Sequence, residues 1–133
     1  MSQSLQERNK AIVIEAFETL FNKRDYVAAE KFWAADYIQH ASHLAQGREG
    51  LFKVAREVPP DFHWDYDMIA AEGDFVWIHG RYSGRGEPTN WIAVDILKVK
   101  DGVFVEHWDV LQDEVSKADS VSGLPMFGES FSY

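Results

Sequence analysis

From Leu5 to Phe21 the apolar residues Leu5, Ile12, Val13, Ala16, Phe17, Leu20 and Phe21 recur near helical spacing, with Glu7, Arg8, Glu15 and Glu18 between them. This predicts an amphipathic helix laid on a core. Asn22-Lys23-Arg24-Asp25 interrupts the pattern, and Asp25 suits the N-cap of a second helix in which Tyr26, Ala29, Phe32 and Trp33 share a face. A short extended piece, Asp36 to His40, follows. Gly47-Arg48-Glu49-Gly50 then leads into a third, brief helix that ends before Pro59-Pro60.

Beyond the prolines the period changes to two. Phe62, Trp64, Tyr66, Met68 and Ala70 alternate with His63, Asp65, Asp67, Ile69 and Ala71, and Glu72-Gly73-Asp74 reads as a hairpin turn. Further strands run from Phe75 to Ser83, from Thr89 to Val99 and from Val103 to about Gln112, separated by the Gly84 to Pro88 loop and the Lys100-Asp101-Gly102 turn. Helices first and a long-stranded meander afterwards is the α+β pattern, with helices on one face of a curved antiparallel sheet and a cavity between the layers. The segment 113–133 shows neither period and reads as an irregular tail pinned by Met126 and Phe127. The 133 residues read as a single domain.

Alternation also sorts side chains by face, since residues two apart point the same way. Three rows are mostly apolar yet hold ionisable residues: Phe75, Trp77, His79, Arg81; Trp91, Ala93, Asp95, Leu97, Val99; and Val103, Val105, His107, Asp109, Leu111. The opposite rows are strongly apolar too. A sheet apolar on both faces must be covered twice, and the helical half is too short for that, so the second face is expected to pack on another copy of the chain.

Asp95 is the most informative residue, an aspartate in mid-strand with apolar neighbours on both sides. Burying it ionised and unpaired would be costly, so it is paired, has a raised pKa or opens into a polar cavity. Asp109 repeats the situation one strand later, and two such carboxyls on adjacent strands can push their pKa values apart. Each aspartate alone reads equally as a salt-bridged strand residue, and His79 and His107 equally as satisfied structural histidines. His40 is placed at the pocket mouth, His43 and His63 at the surface. Trp33, Tyr37, Trp64 and Trp91 are core aromatics that become ligand walls only around a cavity.

Composition narrows the chemistry. With 13 Lys and Arg against 22 Asp and Glu, the net charge is −9, and no basic cluster stands ready for phosphates. Nucleic acid is therefore not expected as a partner. There is no cysteine, hence no disulfide or thiolate chemistry, and no serine in a Gly-x-Ser-x-Gly elbow. No apolar run reaches the length of a membrane span, and Met1-Ser2-Gln3-Ser4 lacks the basic start of a signal peptide, so the chain reads as cytoplasmic and apart from membranes. His40 and His79 with Asp95 or Asp109 supply the donor types of a two-histidine, one-carboxylate set, but at no compact metal-motif spacing. No metal and no cofactor are assigned. Five Trp and nine Phe leave large side chains to line a chamber.

The segment Asp95 to Gln112 (DILKVKDGVFVEHWDVLQ) closely resembles the last two strands of SnoaL-like proteins, polyketide cyclases among them, of the nuclear-transport-factor-2-like superfamily. Asp36-Tyr37-Ile38-Gln39-His40, Gly47-Arg48-Glu49-Gly50 and Ser122 to Phe127 match as well. The resemblance implies an α+β cone-shaped barrel, a strongly curved, mostly antiparallel sheet with three N-terminal helices packed over it, commonly dimerising through its outer face. It further implies acid–base chemistry of the aldol-closure type with Asp109 as the acid or base and Asp95 and His79 as its polar neighbours. Trp33, Tyr37, Trp64, Trp91, His40 and His107 would line the site for a small apolar or carbonyl-containing molecule. Ketosteroid isomerase, a more distant relative of this fold, shows that the cone suits enolate chemistry, though its residues do not map onto this chain. The rival expectation is a binding or carrier domain that uses the same pocket without chemistry.

Overall fold

The computed structural model describes residues 4–133, and the part of the N-terminal reading that rests on Met1 to Gln3 lies outside them. Helix α1 (Leu5–Phe17) is N-capped by the Ser4 hydroxyl, which accepts from the Glu7 amide. It runs on into a π-helical turn, Glu18–Asn22. That turn aims Asn22 at strand β2 (His63–Glu72), where its side chain donates to the Trp64 carbonyl and accepts from the Trp64 amide, both at 2.8 Å. Asn22 thus stands in for a neighbouring strand at one residue of the sheet edge.

Helix α2 (Tyr26–Ala29) is shorter than the sequence suggests. Asp25 caps it as expected, but Glu30–Phe32 tightens into a 3₁₀ turn, and Trp33 opens strand β1 (Trp33–Gln39) instead of closing the helix. Helix α3 (Gly47–Glu57) stops ahead of the proline pair. Strands β3 (Phe75–Ser83), β4 (Trp91–Lys100) and β5 (Val103–Asp113) complete one sheet of order β1-β5-β4-β3-β2, antiparallel except for β1, which runs parallel to β5. The architecture is the expected α+β cone, its helices folded over the concave face of the curved sheet.

Phe17 joins the two layers. Its ring lies 5.2 Å from Trp64, 6.1 Å from Trp33 and 6.5 Å from Phe104, so one helical side chain touches aromatics from β2, β1 and β5. Such off-centre and edge contacts add to the burial that drives the layers together.

Two strands carry register shifts that invert the alternation read from the sequence. In β2 the shift lies between Tyr66 and Met68, so Trp64 faces the core but Met68, 60% exposed, faces out and Ile69 turns in. In the β4–β5 pair Lys98 faces Glu106 but Val99 faces Phe104, so Phe104 is fully buried while Val103 and Val105 are not. A one-residue bulge flips every later side chain to the other face.

The tail holds no helix or strand, and it is tied to the convex face. Glu114, 2% exposed, receives a two-pronged hydrogen bond from Arg81 and further bonds from Asn90 and Ser132, while Tyr133 donates to its carbonyl. Arg81 also lies over the Phe127 ring, and the Val115 amide meets the Met126 sulfur. Among the described residues no helix is long and apolar enough to cross a membrane.

Replacing one partner of a buried ion pair strands the other charge. Arg81→Met is therefore expected to lower stability by about 3 kcal/mol in urea unfolding and to speed proteolysis within residues 115–133; an unchanged midpoint would count against this anchor.

Candidate functional site

The cavity between the helices and the concave face has about 970 Å³ of empty space, its open mouth included. Phe17, Phe21 and Leu51 from the helices and Trp33, Trp91 and Leu111 from the sheet make most of it apolar. Its floor is polar, because a chain of hydrogen bonds crosses four strands there.

The chain starts in β3, where the Tyr82 hydroxyl donates to Asp95 Oδ2 at 2.7 Å. Asp95, in β4 and 3% exposed, meets His107 Nε2 of β5 with its other oxygen at 2.7 Å. His107 Nδ1 lies 2.6 Å from Gln39 Oε1 of β1. That oxygen also accepts from the Ala41 amide, a group that can only donate, so the amide orientation of Gln39 is fixed and His107 Nδ1 carries a proton. Gln39 Nε2 then donates to the Tyr37 hydroxyl oxygen at 2.5 Å. The Asp95–His107 contact shares one further proton between an imidazole and a carboxyl.

Asp109 is placed differently. It lies directly across from Asp95 in the β4–β5 register and lines the cavity, and no hydrogen bond to it is found among the described residues. Burial raises its pKa above the usual aspartate value, the charge of Asp95 adds to the rise, and His107 and His43 oppose it. Both floor tyrosines are raised as well, chiefly by burial. One aspartate is thus fully engaged and its neighbour is free.

Asp95, His107 and Asp109 offer donor atoms within 4.8 Å of one another, the makings of a three-ligand cation site. Yet His107 Nε2 and Asp95 Oδ1 stand 2.7 Å apart, closer than the ~3 Å separating neighbouring donors around an ion bound at ~2.1 Å. The Asp95–His107 pair is spaced to share a proton, and Asp109 stands beside it unbonded among the described residues.

The structure brings Asp95, Asp109, His107, Trp33, Tyr37 and Trp91 to one cavity and leaves three expected residues elsewhere. His79 pairs with Val94 and not with Asp95, so it faces the convex side, where Nδ1 meets Asp67 at 2.7 Å and the ring abuts Phe127. It cannot tune the aspartates. Its row was matched to that of Asp95 by alternation within each strand, whereas the hairpin register places Ile78 opposite Asp95. His40 is also convex: it stacks on Trp108 with ring centroids 4.7 Å apart and bonds Glu106 at 2.7 Å, well away from the mouth. Trp64 is fully buried between Phe17 and Gly80, where an added Cβ would come within 2.9 Å of its indole nitrogen, so it backs the wall without forming it.

Sequence reasoning missed Tyr82, the role of Gln39, and Arg85, which lies 3.8 Å over the Trp91 ring at the mouth. His43, expected at the surface, is exposed but also reaches the cavity beside Trp91. Tyr82 was findable by pairing β3 with β4 about their loop. Gln39 belongs to the family-like segment Asp36 to His40, but nothing local marked its role.

The two aspartates should respond to substitution with opposite signs. Asp95→Ala strands the Tyr82 and His107 donors and is expected to cost about 3 kcal/mol in urea unfolding. Asp109→Asn removes a carboxylate whose folded pKa lies above its unfolded one. Between those two values the folded chain holds more protons, so stability falls as pH rises through the window. The Asn variant should therefore be more stable than wild type at pH 7, the gap closing below about pH 4, the ordinary aspartate range. Equal stability of the two proteins at every pH would refute the raised value.

By sequence, the model of the SnoaL-like domain matches residues 14–107. No curated protein matches the chain. Among solved structures, a candidate ketosteroid isomerase from Kribbella flavida is 20% identical, with 95% of this chain and 96% of that one aligned at a TM-score of 0.75. A candidate polyketide cyclase from Bacillus cereus is 23% identical over 84% and 79% of the two chains, with a TM-score of 0.70. TsrD from Streptomyces laurentii is 20% identical over 82% and 92%, with a TM-score of 0.68. These likenesses show the fold, and the family match, spanning well over half the length, shows the lineage: the chain belongs to the SnoaL-like domain family.

Proposed function

We propose that the protein is an acid–base enzyme that moves a proton next to a carbonyl group of a small, largely apolar molecule, in an aldol-type ring closure or an isomerisation. The observation that carries this is the inequality of the two aspartates. Asp95 has both oxygens engaged, while Asp109 faces the cavity with no hydrogen-bond partner among the described residues and with a raised pKa. A base with that exposure and affinity can take a proton, keep it and return it.

In a ring closure the Asp109 carboxylate removes a proton from the carbon beside one carbonyl, leaving an enolate and a neutral acid. The enolate carbon attacks a second carbonyl of the same molecule, and the resulting alkoxide takes the proton back from Asp109. Atoms and charge balance without a cofactor. Trp33, Trp91 and Phe17 hold the rings of the substrate and keep water from the enolate. Isomerase and cyclase chemistry, after which two of the structural neighbours are named, is of this class.

The convex face supports a homodimer as the working form. Cross-strand rows Val110-Val94-His79-Met68 and Trp108-Ile96-Trp77-Ala70 run over it, with Val110 62% and Met68 60% exposed. An apolar strip of this extent beside an anchored tail fits a second copy of the same strip.

With a carbonyl substrate in hand, Asp109→Asn is expected to lower kcat by about 10²- to 10⁴-fold with little change in KM; an unimpaired variant would remove the proposed role and leave the cavity as a binding or carrier site. Light scattering at micromolar concentration should give twice the chain mass, and a monomer there would refute the dimer.

A further inference from the structure

We infer that the Tyr37 hydroxyl is the donor of a ligand-oxygen subsite on the floor of the cavity that Asp109 also lines, built to hydrogen-bond a carbonyl or enolate oxygen. The inference follows from proton bookkeeping. The Ala41 amide can only donate, so the Gln39 atom it meets is the oxygen, and the Gln39 atom facing Tyr37 is the NH₂ group. A nitrogen carrying hydrogens donates, so the Tyr37 oxygen is an acceptor in that bond. Its own proton must then go elsewhere, and no hydrogen bond donated by Tyr37 is found among the described residues.

Tyr37 is 2% exposed and lines the cavity. A buried donor with no acceptor is a cost that native structures rarely carry without a use. The bond received from Gln39 polarises the phenol and strengthens it as a donor. Tyr82, the other floor tyrosine, is not equivalent, because its proton is already given to Asp95. Around Tyr37 the charges of Asp95 and Asp109 raise the phenol's pKa further, which keeps it protonated and able to donate at neutral pH. The Gln39 amide is itself held by His107 and Ala41, and the Gln39 backbone amide bonds the Gln46 side chain, so the hydroxyl is pre-aimed.

This subsite extends the acid–base reading by naming what holds the carbonyl oxygen. Asp109 acts on the carbon and Tyr37 on the oxygen, so negative charge arriving on that oxygen meets a donor already in place. The ligand class is a compound with an acceptor oxygen beside a ring-sized apolar body.

The test uses binding alone, so it stands even if no turnover is ever found and the acid–base reading fails. Two probes of one shape are compared, 2-acetylnaphthalene and 2-isopropenylnaphthalene, in which a CH₂ replaces the carbonyl oxygen. Wild type is expected to bind the ketone about 10-fold more tightly than the alkene and to shift the infrared carbonyl stretch of the bound ketone to lower frequency than in an apolar solvent. Tyr37→Phe should equalise the two affinities and abolish the shift while leaving alkene binding unchanged. Should that variant fold poorly, Tyr37→3-fluorotyrosine keeps ring and hydroxyl but donates more strongly, and should move the band further down. The inference is overturned if wild type does not prefer the ketone, if the ketone fails to bind at millimolar concentration, if the shift survives in Tyr37→Phe, or if the band ignores fluorination.

Discussion

A carboxylate sits in the middle of an apolar strand, and satisfying it organises the concave face. Asp95 is held by Tyr82 on one side and His107 on the other. His107 in turn requires an acceptor for Nδ1 and finds it in Gln39, which is how β1, the one parallel strand, is locked to β5 at its far end. The demand made by one buried charge therefore propagates through side chains of four strands. Hydrophobic burial alone would press the helices onto the sheet, but it is non-directional and would leave the register of β1 open. The polar floor supplies that direction, since a half-satisfied network in a low-dielectric interior costs more than none.

The same floor explains why two aspartates facing one another across a strand pair do different things. Their backbone placement is equivalent, Asp95 opposite Asp109. Their side chains are not: one has both oxygens on donors, and the other has none among the described residues. Because the engaged aspartate is the more buried, its charge acts on the free one at short range and combines with burial to favour protonation there. Protein structure has here divided labour between two chemically identical groups by the donors it assigns to each, without any change of residue type.

Much of this was legible in the sequence. Helical and strand periods located nearly every element, and Asp95, His107 and Asp109 stood out as ionisable residues in apolar rows that do share a cavity. Face assignment between strands was the weak step. Alternation is rigid within a strand, but the relation between strands depends on loop length and bulges, and both were invisible to a count of two. His79 was matched to the wrong row for that reason, and Met68 and Val105 lost their expected faces to register shifts. His40 was misplaced because the residue after β1 turns toward Glu106 on the outside. The role of Gln39 was missed for a different reason: it stands in a family-like segment, but an amide there carries no signal of its partner, and its importance lies in what it faces sixty-eight residues later.

The free aspartate also bears on whether the cavity binds or reacts. A pocket that works by shape and hydrogen bonds gains nothing from a group whose ionised form is disfavoured by burial and by a neighbouring charge, and an asparagine of the same size would fill the position without that penalty. A proton-transfer site has a use for that group, because a carboxylate with raised proton affinity is a stronger base toward carbon. Asp109 shares the cavity with the Tyr37 phenol, whose pKa burial and the two aspartates raise, so the phenol keeps its proton beside the carboxyl. The carboxyl and the phenol are polar groups of a cavity whose walls, Trp33 and Trp91 among them, are largely aromatic and apolar.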